Sequence, residues 1–151
     1  MKNTAFSLRP AARDDFPAIR RLIYAVGINP MSLDWRHFII AVDGDDRLVG
    51  TGQVKHHGDG SLELASIAVQ PEWRGQGLAR AIILYLLETN PRPLYLTCRS
   101  RLGTLYQKFG FKDVTTSPDL PPYFRRLKRL VKVFMRLRFS DERMLIMKLG
   151  D

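Results

Sequence analysis

The chain has 151 residues and a mass of 17.3 kDa, which suits one domain with a real core. Its composition, 45% hydrophobic, 26% charged and 10% aromatic, excludes a disordered chain. Lys and Arg number 24 against 15 Asp and Glu, a net charge of +9. Seven of those bases lie in residues 120–138 with no acid among them, so the basicity is local rather than a property of the whole surface.

Residues 6–9 alternate apolar and polar and stop at Pro10, as a short first strand does. Asp14 and Asp15 then precede Phe16, Ile19, Leu22 and Ile23 at helical spacing, with the acids at the positive end of the helix. Residues 27–32 read as a loop leading to a second short helix before Asp34 and Trp35. Three consecutive antiparallel strands are expected at 38–42, 47–56 and 62–69, the last two joined by a turn centred on Asp59-Gly60. A helix at 78–87, a strand at 94–98, a helix at 102–109 closed by Gly110, and strands at 111–115 and 144–149 complete a mixed α/β sheet with a parallel crossover. No apolar run reaches the roughly 18 to 20 residues of a membrane span. Cys98, the only cysteine, excludes an internal disulfide, and no signal-peptide pattern opens the chain, so a cytoplasmic location is expected.

The most informative stretch runs Ile67-Ala68-Val69-Gln70-Pro71-Glu72-Trp73-Arg74-Gly75-Gln76-Gly77-Leu78-Ala79. It passes from strand through a glycine loop into a helix. Gly75 and Gly77 let several backbone N–H groups converge on an anion that the helix N-terminus also favours, and Arg74 adds a cation. The plainer alternative is a tight strand-to-helix turn. A dinucleotide fingerprint is excluded because a third small residue would have to replace Arg80, and a P-loop is excluded because Gly-Lys-Ser/Thr is absent.

Arg74, Gly77 and Ala79 fit the pattern Arg/Gln-x-x-Gly-x-Gly/Ala, and Leu105-Tyr106-Gln107-Lys108-Phe109-Gly110-Phe111 fits Leu-Tyr-x-x-x-Gly-Phe. Together, over residues 6–115 and the last strand, they resemble the GCN5-related N-acetyltransferase (GNAT) family. The resemblance implies a mixed, mostly antiparallel seven-stranded α/β sheet with parallel, splayed central strands and flanking helices. It also implies a single domain over residues 1–151, with a basic helical insertion at about 117–140. The implied activity is direct transfer of acetyl from acetyl-CoA to a primary amine of a small molecule, peptide or protein. No metal is called for, and another acyl-CoA donor is not separated from acetyl-CoA.

In the family the pyrophosphate rests on the glycine loop, here Arg74, Gly75, Gln76, Gly77, Leu78 and Ala79. The pantetheine arm pairs with the end of the fourth strand, here Ile67, Ala68 and Val69, where an amide near Ile67 or Ala68 would meet the oxyanion. Glu63 matches the place of a general-base glutamate in some members; a solvated strand carboxylate is the alternative, and His56 and His57 are other candidate bases beside a turn that would ordinarily expose them. A regular strand would put Glu63 on one face with Ala65, Ile67 and Val69, which a bulge would change. Tyr106 matches the tyrosine that protonates the leaving thiolate, against the alternative of a core aromatic. The family's asparagine seven residues before it is Arg99 here, and the alanine four before it is Leu102; these departures bear on the pantetheine and thiol contacts. Cys98 reads as a small buried residue rather than an acyl-accepting nucleophile.

Between the last two strands, Leu127, Leu130, Val131, Phe134 and Leu137 recur at helical spacing with bases on the remaining positions. The segment is a flap packed on the domain, a wall suited to an acidic acceptor, or a surface for nucleic acid or anionic membrane; the flap is the expectation, since no nucleic-acid reader motif accompanies it. A monomer or homodimer is expected.

Overall fold

The computed structural model describes residues 5–135 and 143–150. Its strands are β1 Ser7–Pro10, β2 Phe38–Val42, β3 Leu48–His56, β4 Leu62–Val69, β5 Leu94–Arg99, β6 Lys112–Asp113 and β7 Met144–Leu149. Its helices are α1 Phe16–Val26, α2 Leu78–Thr89, α3 Gly103–Gln107 and α4 Pro122–Met135. The seven strands run in the order β1-β2-β3-β4-β5-β7-β6. β1–β2, β2–β3, β5–β7 and β6–β7 are antiparallel, and β4 is parallel to β5 at Glu63↔Tyr95. This is the fold class expected from the sequence. No described helix is long and apolar enough to cross a membrane.

Three expectations are corrected. The short helix before Asp34 is instead a single 3-10 turn, Trp35–His37, that Asp34 caps by accepting from Arg36 N. The helix expected at 102–109 shortens to α3 behind the 3-10 turn Ser100–Leu102, and the strand at 111–115 to the two residues of β6. Arg136, Leu137 and Arg138 of the basic segment lie outside the described residues.

The chain divides into two compact units, one holding residues up to Lys55 and Leu64–Pro91, the other His56–Glu63 and the chain from Arg92 onward. In the first, α1 lays Ile19, Leu22 and Ile23 on Phe38, Ile40 and Val42 of β2 and on Ala68 of β4. All five residues of β2 are buried, as in a strand covered on both faces. α2 approaches closely because β3 carries glycine where it crosses: a Cβ on Gly52 would stand 2.5 Å from Ile82 Cγ2, 2.9 Å from Ile67 Cδ1 and 3.0 Å from Leu86 Cδ1. On the other face from Gly52 in the strand alternation, Thr51 and Gln53 are buried and reach Ser66 through Thr51 Oγ1 to the carbonyl (2.9 Å) and Gln53 Nε2 to Oγ (2.8 Å). Ser66 has φ of 59°, a left-handed kink within β4. It interrupts the period of two, so the common face expected for Glu63, Ala65, Ile67 and Val69 breaks between Ala65 and Ile67.

In the second unit, β5 pairs with β7 along six residues, and Tyr95 and Ile146 join Leu120 and Phe124 in a small core. Phe124 is fully buried and Leu127 packs against this cluster, which fastens the first turns of α4 to the sheet. Further along, Leu130 and Val133 are 56% and 61% exposed, whereas Val131 is half-buried. Pro122 opens the helix, where its missing N–H costs nothing.

Candidate functional site

The glycine loop is built from backbone. Gln70 N donates to Val49 O (2.9 Å), which ends β4 against β3, and the 3-10 turn Pro71–Trp73 swings the chain toward α2. Gly75 and Gly77 sit at φ of 75° and 84°, the left-handed region, and a Cβ at either would meet nothing within 4 Å. Gly77 is the N-cap of α2 and offers no side chain to cap it; Ala81 N is the first amide to bond back, to Gly77 O (3.0 Å). Arg74 N donates to Pro71 O (3.3 Å), whereas the amides of residues 75–79 have no partner among the described residues. Of these residues, Gly75, Gly77, Leu78 and Ala79 line a cavity of about 130 Å³ together with Val69, Trp73, Arg74 and Arg80. Free N–H groups, a helix N-terminus and two guanidinium side chains make a site for a multiply charged anion. Gln76 turns its side chain inward, donating from Nε2 to Glu72 O (3.1 Å), with Oε1 buried and unpaired.

Glu63 is not a solvated strand carboxylate: the residue is only 5% exposed. Its Oε1 meets His57 Nε2 at 2.8 Å and its Oε2 lies 3.5 Å from Thr97 Oγ1 on β5. His57, expected to be exposed, is covered instead. Tyr123 stacks on its ring, with centroids 3.5 Å apart and planes at 15°, and Phe124 meets it edge-on at 5.8 Å. Burial, aided by the Glu63 carboxylate, raises the pKa of the Tyr123 phenol. Asp59 fastens the same turn: its Oδ1 accepts from Ser61 N (2.9 Å) and Ser61 Oγ (2.6 Å), and its Oδ2 from Tyr123 N (2.9 Å). Burial works against the charge on Asp59, but these donors and the nearby His57 outweigh it and hold the carboxyl at about 2. Thr97 and Tyr123 carried no signal as site residues in the sequence, since each meets Glu63 or His57 only through the fold.

Tyr106 on α3 lies edge-on to Phe111, ring centroids 6.1 Å apart. Burial pushes its phenol above the usual range, with Cys98 adding to the effect, so it keeps its proton at neutral pH. Cys98 itself is pushed up to about 11, first by burial and then by Asp113, and its Sγ lies 3.8 Å from Met147 Sδ. A thiol in that state is a poor nucleophile. Among the described residues no hydrogen bond or ring contact joins Tyr106 to Glu63, and no cluster of His, Cys, Asp or Glu could hold a metal ion. On α4, Arg125, Lys128, Arg129 and Lys132 line a groove of about 270 Å³ with Ser117, Pro118 and Leu120, where Lys128 Nζ donates to Thr115 O (2.6 Å).

Among solved structures, the chain resembles Rv2747 from Mycobacterium tuberculosis in complex with CoA and NLQ (TM-score 0.70, 18% identity, 96% of this chain and 99% of that one). It also resembles N-acetylglutamate synthase from Neisseria gonorrhoeae complexed with coenzyme A and N-acetyl-glutamate (TM-score 0.72, 19% identity, 99% of this chain and 36% of that one). A mycothiol acetyltransferase from Actinosynnema mirum is 33% identical over 81 residues, 49% of this chain; the chain spans 27% of the length of that relative. Residues 34–113, just over half of the chain and including β4, the glycine loop and Tyr106, match the acetyltransferase (GNAT) domain. With the strand order, the glycine loop and that match in agreement, the chain belongs to the GNAT acetyltransferase family.

Proposed function

We propose that the protein is an acetyl-CoA-dependent N-acetyltransferase that moves acetyl directly to a primary amine of a small molecule, peptide or protein. The observation that carries this reading is the set of unpartnered amides at residues 75–79, beside a cavity lined by Gly75, Gly77, Leu78 and Ala79 with Arg74 and Arg80. Such a cradle fits the diphosphate of coenzyme A, and the related folds crystallised with coenzyme A agree with it. Gly75, Gln76, Gly77, Leu78 and Ala79 would bind through their N–H groups, Arg74 through its charge, and Ile67, Ala68 and Val69 through the backbone at the end of β4. The bound cosubstrate supplies an acetyl thioester.

A lysine-like amine with pKa about 10.4 is only about one part in a thousand neutral near pH 7.4, so the enzyme must remove a proton. Glu63, buried and oriented, takes that role, directly or through water. Tyr106 keeps its proton at neutral pH and returns one to the departing sulfur. The high pKa of Cys98 favours direct transfer over an acyl-cysteine route. We assign the chain as one domain whose basic segment closes the acceptor side; the four cations lining the groove on α4 favour an acceptor with negative charge. One unpaired cysteine suits a cytoplasmic site of action.

The test is release of free thiol from acetyl-CoA across a panel of amino acids, polyamines and lysine peptides, together with thermal unfolding at millimolar acetyl-CoA. Turnover of an amine and a clear upward shift are expected; no shift at that concentration rejects the reading. Tyr106→Phe is expected to lower kcat about 100-fold, and an unchanged rate would move the acid role to water.

A further inference from the structure

We propose that His57 is a positioning residue for Glu63, and that Tyr123 and Phe124 at the start of α4 hold His57 in place. The basic helix is thereby built into the machinery of the base. The proposal rests on the reading of Glu63 as general base and extends it to residues that no motif marks.

A carboxylate this deeply buried is costly unless donors reach it, and His57 Nε2 is the short one, at 2.8 Å. Thr97 Oγ1, at 3.5 Å, is at the limit of a hydrogen bond, so Oε2 keeps lone pairs for an incoming proton. The division is useful: one oxygen is fixed by imidazole and the other is left for acceptor or water. The imidazole cannot swing away because Tyr123 covers its face and Phe124 its edge. Its backbone is pinned too, with His57 N donating to Ser61 O (3.0 Å) and Gly60 N to His57 O (3.0 Å). Asp59, from the same turn, accepts the Tyr123 amide, which locks the first turn of α4 over the ring. Among the described residues, Thr97, Tyr123 and Phe124 touch the pair, Asp59 lies near His57, and Tyr95 is the register partner of Glu63 on β5.

The experiment compares His57→Ala, His57→Gln, Glu63→Gln and the His57→Ala/Glu63→Gln double variant in the full chain. The acceptor is the amine from the panel above that releases most thiol. His57→Ala is expected to lower kcat by about 10-fold or more with the KM for acetyl-CoA unchanged. His57→Gln, whose amide N–H can take the same place, retains most of the rate. In the double variant, His57→Ala adds nothing to the loss from Glu63→Gln.

Wild-type kcat in His57→Ala, equal losses in the alanine and glutamine variants, or losses that multiply in the double variant would each overturn the proposal. Glu63→Gln at wild-type rate defeats the reading of the base and this inference with it; a slow Glu63→Gln beside a fast His57→Ala defeats the inference alone. If His57→Ala does not fold, Tyr123→Ala replaces it, with a fall in kcat expected and an unchanged kcat counting against. A readout independent of any acceptor is the ring N–H proton of His57 in the NMR spectrum. It is expected to exchange slowly and to be lost in Tyr123→Ala; free exchange in the wild type overturns the proposal.

Discussion

The loop at residues 74–79 and the cluster of His57, Glu63, Thr97 and Tyr123 are built from different materials. The loop uses main-chain N–H groups from one short run of chain, made available by two glycines at positive φ and by the uncapped start of α2. The cluster uses side chains from a turn, two strands and a helix, separated by up to 66 positions, and each partner is useful only because the fold delivers the others. A backbone site is carried by spacing and by the absence of side chains. A side-chain site is carried by packing, and it fails when any one support is removed.

The largest expected effect breaks the cluster and leaves the loop intact. Glu63→Gln should lower kcat by about 100-fold or more while acetyl-CoA still raises the melting temperature as in the wild type; a lost thermal shift would mean the two regions are not separable in this way. The converse variant, Gly77→Val, places a β-branched residue at φ of 84° and turns the amides away. The stabilisation by saturating acetyl-CoA, about 2.7 kcal/mol at 100 times Kd, should largely vanish, with the slow-exchanging ring proton of His57 retained. Full stabilisation by acetyl-CoA in this variant would relocate the anion site.

Gly52→Ala is a smaller effect, which sharpens the comparison by disturbing the support of the loop. The added Cβ would crowd Ile82 of α2 at 2.5 Å, so a loss of about 1–3 kcal/mol is expected in denaturant unfolding, and a neutral result would show that α2 can shift. Smallest is Asp59→Asn, which weakens the acceptor for the start of α4. The Asp59 carboxyl, ordinarily near 3.8, is held at about 2, so its contribution to stability is complete above about pH 4 and is lost as the pH falls toward 2. Acid unfolding of the wild type should show this loss and Asp59→Asn should show less of it. Parallel acid curves would mean that Asp59 does not couple to folding.

Much of the fold could be read residue by residue. Apolar spacing marked α1 and α2, the alternating and β-branched runs marked the strands, and Gly75 and Gly77 marked the loop, because each signal is local and repeats within a few residues. Two short elements, α3 and β6, were overestimated, since their lengths are limited by neighbours: a Cβ on Gly103 would stand 2.9 Å from Leu145 Cδ1, and β6 pairs only through Lys112 and Asp113. The kink at Ser66 was foreseen only as a condition; serine at φ of 59° has no marker in the residue type, and it is held by Thr51 and Gln53 from the neighbouring strand.

Glu63 was legible as a candidate, but its state was not. Nothing in an isolated carboxylate on a strand distinguishes a solvated group from a buried one, and the difference is made by His57, whose own burial is made by Tyr123 sixty-six positions later. Local chain chemistry therefore determined the longer elements, the glycine loop and the family to which they point, because backbone geometry and periodicity act over short stretches. Tertiary structure alone decided which side chains face the carboxylate and how α4 is fastened over them. Burial and stacking are relations between distant segments, and they exist only once the chain has closed on itself.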